Sequence, residues 1–511
     1  MKKGPSPVSR ISTRVAAILT TVAAAGALTG CSVLEQFQQP EEQQASEEQA
    51  TSEVPEEEKY DTGQYRKEPH PGWPETPVDM TSYSEGNQIG YQTLLPYEVD
   101  PERFTQGRMP VRYNTFGRIS LVFPDAVNEA TKPFEKNYIS GYIHPASDED
   151  GNQIAENYIW RFTDPTSAEG FANAIRDTYL AEGGINWEDD TTYPLEYIDI
   201  PGHPGAAGMK DEEGDQVHMV TTYNEFVIFA NAMDNRDLDM AEEEKNQDLT
   251  WAVDYMSKFL TMQLPMMDDI ETHKTEEGFG KHDKLQPMDP DNILKYVVMS
   301  PEGVEMNGPV PAHMNKRAMN GMFKATGEVS RLLDQADIEA MAIGESTLFR
   351  LANPQNAEMM LASFRALDSE DEPEKFDEPQ GVPGTECYST YEGSGKLHYC
   401  YLKYENYYAH ISKFENTSAN SEATIGNDPE EGANKVDPKT QLSQMVAAQY
   451  LMLRAAVAEA EGNADGAAES SAGNTAEKTA ENSAENTAEN NADSAAKTLS
   501  ETTAETPAAE S

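Results

Sequence analysis

Two segments of the chain carry the same change of hydrophobic period. Tyr158 to Ile175 reads YIWRFTDPTSAEGFANAI, and Thr347 to Phe364 reads TLFRLANPQNAEMMLASF. Each opens with apolar residues at strand spacing and passes into apolar residues three and four apart, the signature of a strand that turns into a helix. At one constant offset Arg161, Pro165, Ala168 and Glu169 match Arg350, Pro354, Ala357 and Glu358. Asp164 and Asn353 stand where a side chain caps the first free helical amides, each followed by Pro at the first helical position.

The echo continues downstream. Gly202-His203-Pro204-Gly205 answers Gly381-Val382-Pro383-Gly384, and each precedes an aromatic-rich meander. HMVTTY and FVIFANA flank Asn224-Glu225; LHYCYLKY and YYAHI flank Glu405-Asn406. Each copy closes with an apolar-periodic helix, Leu249 to Leu264 and Leu442 to Leu453. Matches in the same order predict a duplicated strand-helix-meander-helix unit. The fold class is therefore α+β: two tandem domains, 59–285 and 286–456, each an antiparallel meander packed by helices and joined near Asp268 to Asp291.

The ends read differently. Lys2, Lys3, Arg10 and Arg14 precede an apolar run from Val15 to Leu28, the basic and apolar regions of a secretory signal, too short for a mature membrane span. Leu28-Thr29-Gly30-Cys31 resembles the lipobox of bacterial lipoproteins, which implies removal of residues 1–30 and lipidation of Cys31. Residues 31–58, rich in Glu, Gln and Ser, read as a disordered acidic tether, and 457–511 as a disordered low-complexity acidic tail. A four-residue repeat from Asn474 to Glu489 allows at most a transient helix there. The expected location is the outer side of a cell membrane, held by lipid.

Composition narrows the function classes. With 90 Asp+Glu against 38 Lys+Arg the formal charge is −52, which repels nucleic acid and anionic head groups. Once Cys31 is lipidated, Cys387 and Cys400 remain of the 3 cysteines. A two-residue turn at Gly393-Ser394 places them directly opposite each other on a hairpin, within disulfide range; two separately buried thiols are the alternative. The pair lacks the spacing of a redox motif.

Local catalytic signatures are missing. There is no G-x-S-x-G elbow, and Gly393-Ser394-Gly395-Lys396 is not a phosphate loop because its first Gly is absent and Leu397 follows. His273 and His282, among Asp268, Asp269, Glu271 and Asp283, read as a polar linker rather than a zinc site. Asp148-Glu149-Asp150-Gly151-Asn152 and Asp211 to Asp215 read as turns rather than calcium loops. No metal or cofactor is expected.

Taken together, Asp61-Thr62-Gly63-Gln64-Tyr65, Tyr97-Glu98-Val99-Asp100-Pro101, the strand-helix step with its second copy, and Ala447-Ala448-Gln449-Tyr450 resemble a family of actinobacterial two-domain surface lipoproteins of unknown function. The resemblance spans about residues 60 to 455 and implies tandem domains and a paired-cysteine hairpin, with no catalytic residue to carry over; the high acidity and long tail depart from it. The expectation is a non-catalytic envelope protein binding an unidentified ligand or protein partner at the cleft between its domains. The alternatives are a hydrolase whose active site is assembled only in three dimensions, and a wall-spacing element.

Overall fold

The computed structural model describes residues 59–72, 81–186, 191–211, 215–234, 248–270, 287–301, 311–368, 372–392, 395–416 and 436–485. Leu28, Thr29, Gly30 and Cys31, the tether up to 58, His273, His282, the Gly393-Ser394 turn and the tail beyond Glu485 lie outside them.

The first sheet is built from β1 (Gln106–Gly107), β2 (Val111–Arg112), β3 (Tyr138–Ser147) and β4 (Gln153–Phe162), then β7 (Leu195–Asp199), β8 (Ala207–Asp211), β9 (Gln216–Tyr223) and β10 (Phe226–Asp234). A separate ribbon pairs β5 (Gly184–Asn186) with β6 (Thr191–Tyr193). The sheet runs β1-β3-β4-β10-β9-β8-β7, with β2 also on β3. The second sheet takes β11 (Ala312–Met314), β12 (Ile338–Ile343), β13 (Ser346–Leu351), β14 (Glu374–Phe376), β15 (Thr385–Glu392), β16 (Gly395–Tyr404) and β17 (Tyr407–Asn416). Its order, β11-β12-β13-β17-β16-β15-β14, repeats the first strand for strand. Both sheets are antiparallel throughout. The architecture is α+β, with two sheets each packed by helices.

Alternation along β4 shows how one strand serves two layers. Ala155 and Ile159 enter the core beneath α1 (Thr81–Gln92), α2 (Pro96–Val99) and α5 (Thr250–Gln263). Tyr158, Trp160 and Phe162 enter the core beneath α3 (Asp125–Thr131) and α4 (Pro165–Glu182). Side chains two apart share a face, so a strand buried on both sides reads as nearly continuous hydrophobicity. In the second domain α6 (Lys316–Asn320), α7 (Thr326–Gln335) and α8 (Pro354–Asp368) cover one face and α9 (Pro438–Glu485) the other. Tyr60 and Tyr65, early in the chain, pack on the α9 side of this second core.

The duplicated step is held by the same device twice. Asp164 Oδ1 accepts from Ser167 N at 2.8 Å, and Asn353 Oδ1 accepts from Asn356 N at 2.9 Å. Gly202 and Gly381 both sit at φ +80°, a left-handed conformation that costs glycine little. The helix closing the second copy does not stop at Leu453: α9 continues to Glu485, through residues that the sequence assigns to the tail. Its packing also reaches past that boundary, because Lys295 Nζ meets Glu459 Oε1 at 2.7 Å.

In β15 and β16, Cys387 lies opposite Cys400, and the two are joined by a disulfide with S–S 2.04 Å and Cα–Cα 4.1 Å. Both residues are fully buried under α9. The bridge closes a sequence separation of 13. A loop of that size limits the unfolded chain by up to about 3 kcal/mol in the chain-entropy account. Replacing both cysteines by Ser should lower the stability of the second domain by about that amount, read as a shift in its urea midpoint with the first-domain transition unmoved.

Arg161, at the end of β4, is entirely buried; it ion-pairs with Glu85 of α1 and its Nη2 lies 3.8 Å from Glu225 Oε1. Burial lowers its affinity for the proton, and the two carboxylates counter that. Its counterpart Arg350 is only partly buried and meets Glu339 at 3.2 Å. Removing one partner of a buried pair costs about 3–5 kcal/mol, whereas an exposed pair contributes about 0–1 kcal/mol. Chemical denaturation should therefore show Arg161→Met strongly destabilised and Arg350→Met close to the parent.

Candidate functional site

The junction between the domains is occupied rather than open. α1 packs on β3 and also on α6 and β11 of the second domain. Tyr91 Oη donates to His313 O at 2.6 Å, and His313 Nε2 meets Asp291 Oδ2 at 2.7 Å. Arg317 grips Glu98 with Nε at 2.7 Å and Nη2 at 2.9 Å, and its Nη1 donates to Tyr91 O at 2.7 Å. Gly107 N donates to Lys324 O at 2.7 Å, and a Cβ on Gly107 would stand 2.2 Å from Phe323 O. What remains is a pocket of about 220 Å³ beside Glu98 and Arg317. The cleft expected from sequence is thus largely closed, because α1 belongs to both domains' packing.

Larger cavities lie within the domains. One of about 650 Å³ opens beside Arg350, Lys295 and the α9 residues Ala456 to Glu461. Its two cations are engaged by Glu339 and Glu459.

The other, about 460 Å³, lies on the α3–α4 face of the first sheet. Strand register builds its floor. Asn231 of β10 pairs with Glu156 of β4 on one side and His218 of β9 on the other, so three polar side chains stand in a row across adjacent strands. The same face is otherwise apolar: Ile143, Tyr158 and Phe229 occupy neighbouring positions. Tyr113, Tyr179 and Met233 complete the walls.

This row is incompletely satisfied. Both ring nitrogens of His218 and Asn231 Oδ1 are buried without a hydrogen-bond partner among the described residues. The His218 ring is stacked on Tyr179, with centroids 4.9 Å apart and planes at 12°. Glu156 Oε2 accepts from Tyr158 Oη at 2.8 Å and from Asn231 Nδ2 at 3.4 Å. No cation pairs with Glu156 among the described residues. A buried polar atom left unpaired costs about 1–3 kcal/mol, so such a cluster marks a place where a ligand or water gains by binding. At the mouth, Met109 and Leu121 are 62% and 79% exposed, with Val111 beside them. Exposed apolar side chains gathered at a cavity rim are a recognition feature.

A second polar chain crosses the other sheet. Ser389 Oγ lies 2.7 Å from His398 Nδ1, and His398 Nε2 lies 3.0 Å from Glu415 Oε2. The residue types are those of nucleophilic hydrolysis. Ser389 and His398 are each only 2% exposed, which denies a substrate access to Oγ in this conformation.

Other sequence candidates fall elsewhere. Asp148 to Asn152 form the β3–β4 turn, where Asp148 Oδ1 accepts from Asn152 N at 2.7 Å and Gly151 adopts φ +76°. Among the described residues no group of three or more His, Cys, Asp or Glu is placed to hold a metal, and no helix is long and apolar enough to cross a membrane. The Glu156–Asn231–His218 row was not signalled by any motif. Its trace in sequence is a polar residue interrupting each of three otherwise apolar strand faces.

Two descriptions of protein families match the chain: "Domain of unknown function (DUF7373) N-terminal" over residues 74–279 and "Domain of unknown function (DUF7373) C-terminal" over 295–424. No curated protein matches it. Among solved structures, the extracellular domain of PknH from Mycobacterium tuberculosis is similar at 12% identity, covering 39% of this chain and 98% of that one. The TM-score is 0.24, too low to carry an argument about fold or function.

Burial holds His144 and His218 neutral, pushing their pKa values down to about 3 and about 4. Below about pH 6.5 the unfolded chain takes up protons that the folded chain refuses, so stability is full above that pH and declines as pH falls toward 4. His218→Phe, which keeps a ring between Tyr179 and Phe229, should remove a share of this acid sensitivity on the order of 3 kcal/mol between pH 7 and pH 4. Urea denaturation of parent and variant at both pH values checks it.

Proposed function

We propose, from the premise that the chain belongs to the DUF7373 family of unknown function and carries both of its domains in order, that it is a non-catalytic, lipid-anchored extracytoplasmic protein whose first domain binds a small ligand. The observation that carries this reading is the 460 Å³ cavity with its unsatisfied floor of Asn231 and His218 beside Glu156, a carboxylate that pairs with no cation among the described residues. Ligand sites are concave and provided with a few convergent polar groups, and this cavity has both features. A rigid sheet holds all three polar side chains, which suits pre-formed recognition.

Two features support the location. The Leu28 to Cys31 motif provides a lipid attachment point, and a buried disulfide between Cys387 and Cys400 suits an oxidising compartment.

The hydrolase reading has one observation in its favour, the Ser389–His398–Glu415 chain. It is the weaker reading because Oγ is buried and the histidine bridges neighbouring strands as a cross-strand polar contact.

Native mass spectrometry of the full chain, purified gently from membranes, tests the proposal. A discrete added mass in the parent that disappears in His218→Phe and in Glu156→Ala is the expected result. An added mass that survives both substitutions places the ligand elsewhere, and a bare parent mass counts against a bound ligand altogether. Ester or peptide turnover abolished by Ser389→Ala would favour the hydrolase instead.

A further inference from the structure

We propose, building on the binding reading above, that the cavity on the first sheet receives a primary ammonium group carried on an apolar body. The floor is rich in acceptors: the Glu156 carboxylate, Asn231 Oδ1 and one ring nitrogen of His218, all brought into a row by the pairing of β4, β10 and β9. A neutral imidazole offers one lone pair and one N–H, and burial keeps His218 neutral. An ammonium has three N–H donors and no acceptor, which matches three acceptors and leaves nothing of its own unsatisfied.

Charge points the same way. Glu156 pairs with no cation among the described residues, and a partly buried carboxylate attracts a counter-charge more strongly than one surrounded by water does. Among the described residues Arg108 is the one cation lining the cavity, and it is exposed at the mouth. An anionic ligand would face Glu156 directly and, at long range, a formal charge of −52.

The walls account for the rest of the ligand. Tyr113, Tyr158, Tyr179 and Phe229 line the cavity, and aromatic rings attract cations through their π faces. Met109, Val111 and Leu121 at the rim give an apolar body a surface on which to lie.

The test uses three probes of matched shape on the full chain: 2-phenylethylamine, 2-phenylethanol and 3-phenylpropanoate, titrated calorimetrically at pH 7 and at two salt concentrations. The expected result is saturable amine binding at least tenfold tighter than the alcohol, with the carboxylate weakest. Glu156→Gln should erase the preference; urea denaturation of the variant verifies that it is folded. Alcohol or carboxylate bound as tightly as the amine, and lost in His218→Phe, would overturn the ammonium assignment while leaving the cavity as the binding site. Amine binding that Glu156→Gln leaves unchanged would overturn it as well. Failure of all three probes in the folded parent would overturn it together with the binding reading.

Discussion

A guanidinium with no access to water governs how this molecule is put together. Arg161 lies near the end of β4, beside the middle strand of the first sheet, and the carboxylates that make its burial tolerable come from two other elements, Glu85 on α1 and Glu225 in the β9–β10 turn. Because neither carboxylate can leave without stranding a buried charge, α1 is tied to the sheet at a fixed place. From there its small residues let it settle closely: a Cβ on Gly90 would stand 2.6 Å from the Tyr142 ring, and one on Gly86 2.8 Å from Ser140 Oγ. Its last turn presents Tyr91 to His313 and Arg317 of the second domain. The contact between the domains therefore depends on an ion pair inside one of them.

The duplication was readable because its signals are local. A cap, a proline and a switch from period two to period three or four occupy about a dozen residues, and both copies keep them at Asp164-Pro165 and Asn353-Pro354. The opposition of Cys387 and Cys400 was readable for the same reason, since a short turn sets hairpin register. α1 was not readable: its sequence TSYSEGNQIGYQ is mostly polar with two glycines, and its helix rests on tertiary packing rather than on propensity. The candidate site was hidden more deeply. Glu156, His218 and Asn231 come from strands separated by a helix and several turns, and they become neighbours only through non-consecutive pairing of β4 with β10.

The two copies spend the same topology differently. At the Arg161 position the first copy is sealed by Glu85 from α1; at Arg350 the second copy opens into the larger cavity, its arginine leaning on Glu339 and Asp291 O. On the α4 and α8 strand faces the copies differ too: where the first copy carries Asn231 and His218, the second carries Ser412 and Tyr399 in the same register. Duplication supplied two scaffolds, and the residues that fill or vacate one position distinguish them. Fold alone would assign them the same role; the side chains do not.

The early placement of Tyr60 has a mechanical consequence. Tyr60 packs edge-on to Tyr450 of α9 with centroids 5.6 Å apart, Asp61 accepts from Gln444 at 3.1 Å, and His70 N donates to Lys295 O at 2.8 Å. A pull applied to the chain ahead of Tyr60 is thus borne first by α9 and the disulfide-braced sheet beneath it. Those contacts would have to break before a pull travelling along the chain reached α1 of the first domain.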